Sequence, residues 1–147
     1  MVRLATILAA LGALAIADAA VAATPASWAR GANQICALQL QRIRAIPRPP
    51  AGDPIRAAAY IDKVDAVADP LTRHIAALPR PVSEGTLIRS WFAAGATVSA
   101  HNRRLADALR AGDSARASQQ IQTLTAAGAR ADALARRLGA RVCAQSP

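Results

Sequence analysis

Aromatic side chains are scarce, with Trp 2, Tyr 1 and Phe 1 amounting to 3% of the 147 residues. Proteins that grip single-stranded nucleic acid stack bases on such rings, so this chain is poorly supplied for that task. Lysine is nearly absent too: every basic residue but Lys63 is arginine. Familiar signatures of chemistry are also missing. The chain has no H-E-x-x-H, no C-x-x-C-H, no G-x-S-x-G and no phosphate-binding glycine loop. Each of those motifs places a metal ligand, a haem thioether, a nucleophile or a phosphate cradle, and none of these is announced here. Only one stretch is strongly apolar, and it lies at the start.

That stretch has the three parts of an export signal. Met1-Val2-Arg3 is a short basic region, Leu4 to Ala17 is apolar, and Ala20-Val21-Ala22 or Val21-Ala22-Ala23 supplies a small-x-small cleavage site. The apolar run falls short of the ~20 residues that a membrane-spanning helix needs. No cysteine stands directly after the cleavage site, so a lipid anchor is not expected. Residues 1–23 are therefore read as a cleaved signal peptide, and residues 24–147 as one domain.

Removing that segment takes away Arg3 and Asp18 and leaves the net charge at +9. A basic exported protein is drawn to anionic lipid, wall polymer or nucleic acid. Much of the arginine has a structural explanation, however. Arg42, Arg44, Arg73, Arg110, Arg136 and Arg137 fall toward the ends of expected helices, and Asp53, Glu84 and Asp113 fall at their starts. Both placements complement the helix dipole.

Four amphipathic helices are expected. The first runs from about Ser27 to Ile46, and Pro47-Arg48-Pro49-Pro50-Ala51-Gly52 then makes a stiff linker. Asp53-Pro54, a cap followed by proline in the first helical position, opens the second. Its apolar stripe is Ala57, Ile61, Val64, Ala68, Leu71, Ile75 and Leu78. Pro70 should kink or break that helix, with Asp69 capping its second half. Ser83 is expected to cap the third helix, which runs to about Arg110 with Leu87 or Ile88, Trp91, Gly95, Val98, Asn102, Leu105 and Leu109 along one stripe. Ala111-Gly112-Asp113 ends it and starts the fourth, with Gly112 suited to the left-handed position and Asp113 or Ser114 to the cap; the face of the fourth carries Ala117, Ile121, Leu124, Gly128, Ala131, Leu134 and Leu138.

Short connections imply antiparallel neighbours. Pairing the third and fourth helices about Gly112 sets Gly95 opposite Gly128, where two backbones could approach closely. It also sets Asn102 level with Ile121, with Gln119 or Gln122 as candidate hydrogen-bond partners. Pairing the second and third helices about Pro81 sets His101 level with Tyr60 and leaves His74 far away, level with Leu87.

The chain has two cysteines, Cys36 and Cys143, and an even count in an exported chain points to a disulfide, two buried free thiols being the alternative. Closing so long a loop stabilises by roughly 4 to 5 kcal/mol in the chain-entropy model. A plain up-down bundle sets the two cysteines at different levels. The proline-rich linker lowers the first helix enough to bring them together, so linker and bridge belong together.

Ala32-Asn33-x-Ile35-Cys36, Ala108-Leu109-x-Ala111-Gly112-Asp113 and Leu138-Gly139-x-x-x-Cys143-Ala144 resemble uncharacterised secreted helical proteins of high-GC actinobacteria, over roughly residues 29 to 144. The resemblance implies a four-helix fold with a bridge from first helix to tail. It implies no activity.

Two constellations bear on chemistry. Tyr60 and His101 can both ligate haem iron, and bundles hold cofactors between their helices. The alternative is a Tyr–His hydrogen bond or two partly exposed residues. Asp62, Asp65 and Asp69 share one face of the second helix, a row that binds a cation, serves as acid and base, or faces solvent.

The expectation is an all-α, antiparallel up-down four-helix bundle with one disulfide, Cys36 to Cys143, outside the cytoplasm. It is read as a monomeric, non-enzymatic binding or envelope-associated module with no cofactor and no specific nucleic acid, drawn to anionic envelope components. The alternative is a small-ligand or haem carrier using the interior near Tyr60 and His101.

Overall fold

A computed structural model describes residues 23–145. The expected signal peptide, but for Ala23, lies outside them. The fold is a compact four-helix, all-α bundle, with α1 at Pro25–Arg44, α2 at Pro54–Ala76, α3 at Gly85–Arg110 and α4 at Ser114–Arg137. Short 3-10 helices lie at Val82–Glu84 and Arg141–Ala144. The disulfide between Cys36 and Cys143 is formed. Among the described residues no helix is long and apolar enough to cross a membrane.

The helix ends follow local chemistry. Asp53 caps α2 by accepting from the Arg56 amide at 2.9 Å, and Asp113 caps α4 through the Arg116 amide at 2.9 Å. Gly112 and Gly139 close α3 and α4 with φ of +68° and +73°, values that side chains disfavour. Two starts differ from expectation. α1 begins at Pro25 rather than Ser27, because Thr24 and Ser27 form a reciprocal capping box. α3 has no side-chain cap; the 3-10 turn Val82–Glu84 leads into it, and Ser83 lies within that turn.

Pro70 does not break α2, which is continuous from Pro54 to Ala76. Asp69 caps nothing. A single missing N–H removes one intrahelical bond, and the turns on either side continue because Leu71 and Ile75, just beyond the proline, are both buried to 2% exposure.

The interior divides into two packed ends. At one, Trp28, Ala32, Ile75, Ile88, Ala135 and Leu138 gather from all four helices, with Trp91 edge-on to Trp28 at 5.9 Å. At the other, Leu105, Ala108 and Ala117 pack with Ile61, Leu109 and Leu124. The chain's end closes the first of these. Past Gly139 it lies against α1, where Asn33 donates to the Gly139 carbonyl at 3.0 Å and accepts from the Val142 amide at 2.9 Å. The disulfide fastens the same contact.

Ile121 departs from its expected place on the α4 face and is 52% exposed. Three- and four-residue spacing lets either residue 120 or 121 face inward at that turn. The rotation of α4 selects Gln120, which is half-buried and hydrogen-bonded to α3.

Candidate functional site

Between the two packed ends the helices enclose a half-open cavity of about 1030 Å³. All four contribute to its wall: Leu40 and Ile43 from α1, Tyr60 and Val64 from α2, Trp91 and Val98 from α3, Leu124 and Ala131 from α4. Val142 and the Cys36–Cys143 bridge form part of one side. Pockets for small molecules occupy ~300–1,000 Å³, so this one is large for a domain of this size.

The cavity explains a departure from the expected core. Val64, Ala68, Val98 and Ala131 lie on apolar stripes yet are only half-buried. They face the open volume instead of a partner helix. Gly95 and Gly128 are both on its wall. The backbones do not close on each other there: a Cβ added at either glycine meets nothing within 4 Å. Small residues on facing helices leave space unless the helices approach. The expected close glycine packing is therefore replaced by a hollow.

Tyr60 and His101 have different places. Tyr60 lines the cavity. His101 does not; its Nδ1 lies 2.8 Å from Oε1 of Gln120 on α4. The packing of α2 against α3 takes a different polar pair. It sets Asp65 opposite Asn102, whose Nδ2 donates to Asp65 Oδ1 at 2.9 Å. Asn102 thus finds its partner on α2, not at Gln119 or Gln122. His74 is exposed.

The three aspartates of α2 also part company. Asp62 pairs with Arg110 at the surface. Asp65 is half-buried on the cavity wall, and Asp69 lies on the same wall. Burial is the main influence on Asp65 and holds its carboxyl above the ordinary value of 3.8, opposed by the Asn102 amide. Asp132 of α4 is a fourth carboxylate that sequence reading did not single out. It lines the cavity, and burial raises it in the same way, opposed by the charge of Arg136. Among the described residues, no three His, Cys, Asp or Glu side chains converge to hold a metal ion.

Trp91 and Phe92 were also missed as site residues. Their signal was the scarcity of aromatics itself: three of the four rings, Tyr60, Trp91 and Phe92, line the cavity. Arginine is nearly excluded, since Arg103 is the one basic residue on the wall. Comparison with protein-family models, with curated proteins and with solved structures gives no match.

Proposed function

We propose that this is an exported, non-enzymatic protein that carries a small, mostly apolar ligand inside its bundle. The observation behind this reading is the cavity. Protein interiors pack as densely as organic crystals, and voids larger than a water molecule are few. A volume of about 1030 Å³ with aliphatic and aromatic walls forgoes much of that packing. It sits between two well-packed ends and is lined by glycine and alanine where larger residues have room. A ligand that fills the space restores the missing contacts.

The haem version draws less support than a plain organic ligand, because His101 is engaged with Gln120 and off the wall. Attraction to anionic envelope components belongs to the exterior, which keeps nearly all of the positive charge. Last-turn arginines on every helix give part of that charge a structural role, so the interior reading takes precedence.

The test is titration with N-phenylnaphthylamine, an uncharged dye that fluoresces in apolar surroundings. The wild-type protein is expected to bind it. Gly128→Phe, which plugs the cavity, is expected to weaken binding by at least about tenfold, or 1.4 kcal/mol, with helix content unchanged. A wild-type protein that leaves the dye dark, or a plugged variant that binds equally well, would remove the reading.

A further inference from the structure

Charge is distributed across this molecule in opposite senses outside and inside. Among the described residues the chain has seventeen basic and eight acidic side chains. Three of the eight acids, Asp65, Asp69 and Asp132, lie on the cavity wall, against one of the seventeen bases, Arg103. A protein with a net charge of +9 therefore has a half-open cavity whose wall carries an excess of negative charge, with Asp65 and Asp132 half-buried and Asp69 exposed. No cationic side chain bonds to any of the three: Asp65 is held by the neutral Asn102 amide, and the salt bridges among the described residues use Asp53, Asp62 and Asp107.

Burying carboxylates beside aliphatic walls is unfavourable, and burial does raise both Asp65 and Asp132. That cost falls when a cation comes alongside. The aromatic part of the wall has the same preference. Tyr60, Trp91 and Phe92 lie on the wall, and aromatic ring faces carry a negative quadrupole that attracts ammonium groups. Phe92 already shows the tendency, with the Arg80 guanidinium 5.9 Å from its ring centroid. Carboxylates and rings thus agree on the sign of the occupant, while the wall volume requires an apolar body.

We propose that the cavity selects amphiphilic amines: ligands with an apolar body of aromatic or alkyl character and a protonated nitrogen drawn to the carboxylates along the wall, Asp65, Asp69 or Asp132. This rests on the carrier reading, and it specifies the ligand class. The cavity's preference opposes that of the protein as a whole, since the net charge favours anions at long range.

Three matched probes separate the possibilities: para-octylbenzylamine, para-octylbenzyl alcohol and para-octylbenzoate, titrated calorimetrically near neutral pH. The expected order is amine tightest, alcohol about tenfold weaker and benzoate weakest. Asp69→Asn and Asp132→Asn, each isosteric, are expected to reduce the amine's advantage over the alcohol. Arg103→Gln is expected to enlarge that advantage. If alcohol and amine bind equally, if benzoate binds tightest, or if the aspartate variants leave the amine's advantage untouched, the amine assignment is overturned and the carrier reading survives. If none of the three probes binds, both fall.

Discussion

Asp65 and Asn102 form the one polar contact between α2 and α3 on the cavity wall, at 2.9 Å. The amide offsets part of the cost of half-burying a carboxylate. Asn102→Leu removes the donor and leaves the acid in place, so a loss of about 1–3 kcal/mol is expected in urea unfolding. Asp132 gives the complementary pH test. Its carboxyl is raised by burial, so the folded protein holds that proton more tightly than the unfolded chain. Stability attributable to this residue then falls as pH rises from 3.8 through the raised folded value, and the penalty stays in full above that window. Asp132→Asn is expected to be more stable than the parent at about pH 7, with the difference closing toward about pH 3. A difference that is constant with pH, or of opposite sign at neutrality, contradicts the assignment.

The helices carry glycines of two opposite kinds. Gly112 and Gly139 stand just past helix ends at positive φ, and Gly139 also has the Ala29 Cβ 3.4 Å from where its own Cβ would be. Alanine at either is expected to cost about 1–2 kcal/mol, the penalty of the left-handed conformation for a side-chain-bearing residue. Gly95 and Gly128 stand inside α3 and α4 with empty space before them. Alanine at either is expected to stabilise by about 0.5–1 kcal/mol, because only helix propensity changes. Thermal unfolding of the four variants reads both signs. Helices that keep glycine where alanine is better for folding are consistent with a requirement for volume at that level.

Across the whole molecule the Cys36–Cys143 bridge joins stability to the cavity. It ties residues separated by 107 positions, and it holds the segment Arg141–Ala144 between α1 and α4. Loop closure of that length contributes roughly 4–5 kcal/mol by constraining the unfolded chain. Reduction is therefore expected to lower the unfolding midpoint sharply. Because Cys36, Val142 and Cys143 belong to the wall, reduction is also expected to weaken dye binding under conditions where the bundle remains folded. Retained dye affinity in a folded, reduced sample would show that Asn33 holds the segment without the bridge.

Four helices, the caps at Asp53 and Asp113, the stop at Gly112 and the pairing of the two cysteines were all legible from residue order. Each rests on neighbours a few positions apart, or on there being only two candidates. The α3–α4 register was legible too, because their connection is short and Gly112 marks its pivot. What residue order left open depends on how closely two faces approach. Side-chain packing gave Asn102 to Asp65 of α2 and His101 to Gln120 of α4, a choice of partners that spacing along the chain does not make. The stripes of Val64, Ala68, Val98 and Ala131 have the same period whether they meet a partner or a hollow. Periodicity reports which side of a helix avoids water, and not the distance to whatever lies opposite. Only the tertiary packing of the four helices made the cavity and set Asp65, Asp69, Asp132 and three of the four aromatic rings around it.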